Sequence, residues 1–176
     1  MLIERGDAGA GSSTEALEFG WTVLSGIGLV FFLVGALDIA LAWYPLGFGS
    51  PAWEFGTVTL SLNGLPTPAL GLGMGLASGV ALGRRWQVRI TAAALVGLAV
   101  LILVGAVLWV TNVPLALRST EDPLGLLGIQ RSVIKSSVQI LCYPVAFVWI
   151  GVAGWRMVER TTPAPAKKPG GGEAGP

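Results

Sequence analysis

Histidine is absent from the 176 residues, and cysteine occurs once, at Cys142. These two absences remove imidazole acid–base catalysis, histidine ligation of metals or haem, intrachain disulfides and every CxxC redox or zinc site. Charge is scarce as well. Asp, Glu, Lys and Arg make up 12% of the chain, against roughly a quarter in soluble domains. Their balance of +1 gives nucleic acid nothing to be drawn to. No phosphate-binding glycine loop, catalytic carboxylate pair or nucleophile–base set stands in the sequence. The expectation is therefore a protein that is not an enzyme and that needs no metal and no cofactor. What the chain does contain is apolar surface: 53% of its residues are hydrophobic and the mean hydropathy is +0.71. That composition predicts a small all-α integral membrane protein with the lipid bilayer as its first partner.

A bilayer core about 30 Å thick takes roughly 20 apolar residues in helix. Four runs approach that length, at about 22–43, 66–83, 89–110 and 135–155, with charges collected at their flanks. The predicted fold is a four-helix transmembrane bundle over 13–160, preceded by a disordered 1–12 and followed by a disordered tail, 161–176. The tail sequence TTPAPAKKPGGGEAGP has no apolar side chain larger than alanine, too little to order it. Ser12 and Glu15 have the spacing of a helix-capping box. Between the first two runs, Ser50–Pro51 is a helix-start pair, and Phe55, Val58 and Leu62 follow at helical spacing. A short helix lying in the membrane interface is predicted there. The alternation Val58, Leu60, Leu62 also fits a strand, but an unpaired strand edge beside lipid is costly. Glu121–Asp122–Pro123 repeats the start signature, so the last helix is expected to begin near Pro123 and to meet Pro144 inside it.

Orientation follows from the cations. With four crossings, Arg5, Arg84, Arg85, Arg89, Arg156, Arg160, Lys167 and Lys168 share one side, and only Arg118, Arg131 and Lys135 lie on the other. The positive-inside rule then puts both termini in the cytoplasm of a cell whose inner, plasma membrane holds the protein. Trp21, Trp86 and Trp155 fall at the inner ends of the runs, and Trp43, Tyr44, Trp53 and Trp109 at the outer ends, where amphipathic rings favour the headgroup layer.

Two patterns inside the runs could carry function. Gly71, Gly75, Gly79 and Gly83 recur every fourth residue and make a ridge that another helix can approach closely. Its occupant is either a partner helix, including that of a second copy, or the first helix of the same chain, which offers Gly28, Gly35, Ala36 and Ala40. The second pattern is polar. Asp38 is the one clear charge inside a run, and Lys135, Gln139 and Tyr143 repeat at four-residue spacing beside Ser136. Burying an acid in the bilayer favours a paired partner. The expectation is that Asp38 pairs with Lys135 or another cation of the last external segment, with Gln139 and Tyr143 extending the network, as a structural salt bridge, an ion or proton relay, or an externally open small-ligand pocket. Cys142 in this setting reads as packing.

The elements Pro51-Ala52-Trp53-Glu54-Phe55 and Leu65-Pro66-Thr67-Pro68-Ala69-Leu70-Gly71-Leu72 resemble the HpsJ-like membrane proteins of cyanobacteria, in which a PxWEF element precedes an LPxPxLGL span entrance. The likeness covers about residues 43–112, and this chain has Gly56 where glutamine is common in the family. The resemblance implies no catalytic residues. It implies an accessory membrane protein linked to envelope polysaccharide. Composition and resemblance together predict a non-enzymatic accessory or scaffold component of a membrane assembly, the alternative being a small oligomeric transporter or channel that uses Asp38.

Overall fold

A computed structural model describes residues 8–118 and 123–160. Five helices make up most of them: α1 Ala8–Ala42, α2 Pro51–Gly64, α3 Pro66–Ala81, α4 Arg85–Arg118 and α5 Pro123–Arg160. No strand occurs among the described residues. Three helices, α1, α4 and α5, are each long and apolar enough to cross a membrane. Residues 1–7 and 161–176, expected to be disordered, lie outside the described residues, as do Glu121 and Asp122. From Ala8 onward the expectation of disorder is corrected. The helix has already begun there, so Ser12 and Glu15 sit within it rather than at its start.

The region between the first two runs is helical, and not a strand. Ser50 is the backbone cap of α2, in an extended conformation with Pro51 at the first helical position. The cap is made without the serine side chain; instead the Gly49 N–H donates to Glu54 Oε1 at 2.8 Å. Phe55, Val58 and Leu62 are the buried face, as their spacing suggests. That face packs on α4, and α2 runs on into α3. Leu65, between them, is itself in the helical region; its N–H donates to Ser61 O and its own carbonyl accepts from Ala69 N–H, both at 3.1 Å. Pro66 and Pro68 lack the N–H groups that Leu62 and Gly64 would have received, which interrupts the ladder without ending the helical path. The segment expected as a short interfacial helix, Pro51–Gly64, is thus a helix whose path continues through Leu65 into α3.

Register confirms the join. Gly79 packs on Val88, Gly75 on Thr91, Val58 on Gly105, and Phe55 stacks on Trp109. These pairs keep one antiparallel register along α3 and then α2, so the two together cover α4. The turn between α3 and α4 is closed by Gly83, whose φ of +63° suits a residue without Cβ. Its N–H donates to Val80 O at 3.2 Å and that of Arg84 to Gly79 O at 2.9 Å, the pattern of a glycine-terminated helix.

The bundle is open on one side. α1 lies along α3, α4 is flanked by α2–α3 and by α5, and the backbones of α1 and α5 nowhere meet. In the most apolar stretch of α1 only 11% is buried, against 28% in α4 and in α5. The core is held by Leu62, Leu65, Leu72, Leu95, Ala99, Ile102 and Phe147, contributed by α2 through α5. α5 begins at Pro123 and continues through Pro144, as its sequence suggests.

Candidate functional site

The glycine ridge divides its work between two neighbours. A methyl group built on Gly71 would press on Gly28 O and lie 2.5 Å from Phe32 N, both backbone atoms of α1. Gly35 is likewise closed against the Pro68 ring. Gly75 and Gly79 face α4, where the same methyl would stand 3.1 Å from Thr91 Cγ2 and 3.0 Å from Val88 Cγ2. Gly83 is not part of the packing surface. Nothing lies within 4 Å of its added methyl, and its place in the sequence pattern is explained by the turn. Two further glycines, Gly151 and Gly154 on α5, allow close approach to Ala92 O and to the Leu76 side chain.

A buried polar cluster ties three helices at the arginine-rich end. Gln87 Nε2, on α4, reaches Ser25 Oγ at 2.9 Å on α1, and Gly75 O at 2.9 Å and Ser78 Oγ at 3.0 Å on α3. Ser78 is fully buried and donates to Gly75 O at 3.1 Å. An amide with two hydrogens thus serves three acceptors, so the bonds are shared. Sequence reasoning misses this cluster because Gln87 stands among Arg84, Arg85 and Arg89 and reads as a flank. The signal was its spacing: Gln87 and Ser78 sit on opposite arms of a tight helical hairpin. Nearby, the Arg89 guanidinium lies 5.9 Å from the Trp155 ring centroid.

The second cluster is at the aromatic end, among α2, α4 and α5. Asn112 Nδ2 donates to Glu54 Oε2 at 2.6 Å and to Leu108 O at 2.8 Å. Gln139 Nε2 donates to Tyr143 Oη at 3.2 Å and makes a long contact of 3.5 Å with Leu62 O, the carbonyl that Pro66 deprives of its usual donor. Ser136, Gln139 and Trp109 are buried, while Ser136 Oγ, Gln139 Oε1, Trp109 Nε1 and Thr59 Oγ1 have no hydrogen-bond partner among the described residues. Outside this cluster, Trp43, Phe48 and Trp53 form a knot of tilted and edge-on rings, and Trp43 Nε1 donates to Ser61 Oγ at 2.9 Å.

Gln139 and Tyr143 therefore meet as their spacing suggests, with Ser136 in place of Lys135 as their buried neighbour. The expected Asp38–Lys135 pair is not formed. Both side chains are exposed, and α1 has no backbone contact with α5. The axial positions differ too. Gly35 packs on Pro68 and Ile39 on Gly64, which puts Asp38 at the level of Pro66. Lys135 stands near the level of Trp109 and Phe55, about ten residues or roughly 15 Å farther out. Asp38 faces outward instead, without an ion pair or hydrogen bond among the described residues. Those residues also contain no group of three or more Cys, Asp or Glu arranged to hold a metal ion. Compared with protein-family models, with curated proteins and with solved structures, the chain matches none.

Proposed function

We propose that this is a four-crossing membrane protein and a non-enzymatic accessory or scaffold component of a membrane assembly. The 16 residues of α3 alone reach about 24 Å, short of the roughly 30 Å of a bilayer core. Joined through Leu65 to the 14 residues of α2, they exceed it. α1, α2–α3, α4 and α5 then cross in turn, both ends of the chain lie with Arg84, Arg85 and Arg89, and the inner membrane is the setting that the cation distribution favours. The resemblance of residues 51–55 and 65–72 to HpsJ-like proteins extends the proposal to an envelope-associated, polysaccharide-related assembly.

One observation carries the accessory reading over the transport reading. The Gln87 cluster and the Gln139 cluster are buried at opposite ends of the bundle, and Leu62, Leu65, Leu72, Leu95, Ala99 and Ile102 fill the space between them. A path for ions would need polar groups or water through that layer. Asp38, the one acid deep in a run, is on the outer flank of α1 and lines no such path. Liposomes containing the purified protein are expected to leak protons and small ions no faster than empty ones. A protein-dependent flux that Asp38→Asn abolishes would overturn the proposal in favour of a transporter or channel.

A further inference from the structure

The flank of α1 that carries Leu24 borders an open groove. Its walls are α1, through Leu24, and α5, through Phe147 and Ile150; its floor is α3, and it encloses about 610 Å³ of almost wholly apolar space. The floor includes Ala69, Gly73 and Ala77, four residues apart, a second small-residue row beside the Gly71 ridge. Unlike Gly71, Gly73 is not covered: a methyl built on it meets nothing within 4 Å. Leu24, Phe31 and Asp38 are spaced by seven, so they form one stripe on α1 that turns by only about 20° per repeat. Ser25, on the other flank, points to Gln87 of α4, which fixes the Leu24 stripe as the groove side. Asp38 stands level with Pro66, the outer limit of the groove floor.

We propose that this groove receives a transmembrane helix of a partner protein, one that carries a lysine or arginine at the depth of Asp38. The inference rests on the accessory reading and names the chemistry of the partner. A carboxylate facing lipid about one and a half turns inside Trp43 is costly without a cation or donor beside it. Among the described residues no cation stands at that depth for a second copy to supply. Arg118 and Arg131 lie beyond the outer end of the runs, Lys135 lies at that end, roughly 15 Å farther out than Asp38, and the remaining Arg residues of the helices lie at the inner end. An uncovered row of small residues is the floor on which a membrane helix packs closely, and the acid at the mouth selects the helix and its register.

The full chain, carrying a donor dye on an appended N-terminal tag, would be reconstituted in phosphatidylcholine vesicles. Energy transfer would be measured to acceptor-labelled leucine–alanine transmembrane peptides that differ at one position, lysine or leucine, set at the depth of Asp38. The lysine peptide is expected to associate about tenfold more strongly. Asp38→Asn should erase that preference, and Gly73→Leu, which fills the groove, should abolish association of both peptides. Melting temperatures check that both variants fold; if Gly73→Leu does not, the Asp38→Asn comparison still decides. Equal association of the two peptides would overturn the proposal, as would association that survives Gly73→Leu. So would self-association of the protein that Gly73→Leu blocks without any peptide, or occupation of the groove by spin-labelled lipid alone. Flux through the protein would remove the accessory reading while leaving peptide binding untouched, so the two failures are distinguishable.

Discussion

Gly71→Ala is expected to lower stability in detergent by about 2–3 kcal/mol, a large effect for one methyl group. The added carbon would meet Gly28 O and Phe32 N, backbone atoms that can yield only if α1 moves away from α3. α1 has little else to hold it, because it packs on α3 and only secondarily on α2. Gly73→Ala, two residues away and facing open space, should change stability by no more than about 0.5 kcal/mol. Gly28→Ala obstructs the same contact from the other side. Its combination with Gly71→Ala should therefore cost less than the two single losses added together. Thermal unfolding of the four proteins in one detergent measures all of these. Equal behaviour of Gly71→Ala and Gly73→Ala would mean that α1 does not pack against the ridge.

Gln87→Ala should have the next largest effect, about 1–2 kcal/mol. A hydrogen bond between membrane helices averages about 0.6 kcal/mol and rarely exceeds about 1.7, and one Gln87 amide joins α4 to both α1 and α3. The truncation also opens space beside Ser78, which is fully buried. Ser25→Ala removes only the α1 branch and is expected to cost about 0.6 kcal/mol. In the Gln87→Ala background, Ser25→Ala should then cost almost nothing, since its partner has gone. A full Ser25 effect persisting without Gln87 would show that the shared amide does not link these helices.

Much of this architecture is legible in the sequence, for physical reasons that differ from element to element. Long apolar runs with flanking charge can do little but form helices, so α1, α4 and α5 follow directly. Proline after serine or aspartate marks helix starts, and α2 and α5 do begin at Pro51 and Pro123. Arg84 and Arg85 after a glycine mark the hairpin. At Leu65-Pro66-Thr67-Pro68 the same rule gives the start of α3 at Pro66 but not its helical continuity with α2. A proline removes a bond to the preceding turn but does not forbid the chain from continuing, and Leu65 keeps the helical path. The other error, the Asp38–Lys135 pair, has a separate cause: it needs α1 beside α5, and the two helices have no backbone contact.

Polar contacts were legible where they are local and hidden where they are not. Gln139 and Tyr143 are one turn apart on a single helix, so spacing alone predicts their bond. Gln87 bonds Ser25 across 62 residues, and Asn112 bonds Glu54 across 58. No periodicity reports those distances. Likewise the glycine ridge announces close packing without naming its partner. Only the fold assigns Gly71 to α1, Gly75 and Gly79 to α4, and Gly83 to a turn.

The depth of Asp38, the exposure of α1 and the sidedness of the arginine clusters all depend on α2 and α3 crossing the membrane as one element. Single cysteines at Ser50→Cys and at Arg84→Cys, each in a Cys142→Ser background, would be treated in intact cells stripped of their outer layers with a membrane-impermeant maleimide. Labelling of Ser50→Cys from outside, with Arg84→Cys reached only after the membrane is permeabilised, is the expected result. Labelling of both positions from the same side would contradict the four-crossing arrangement.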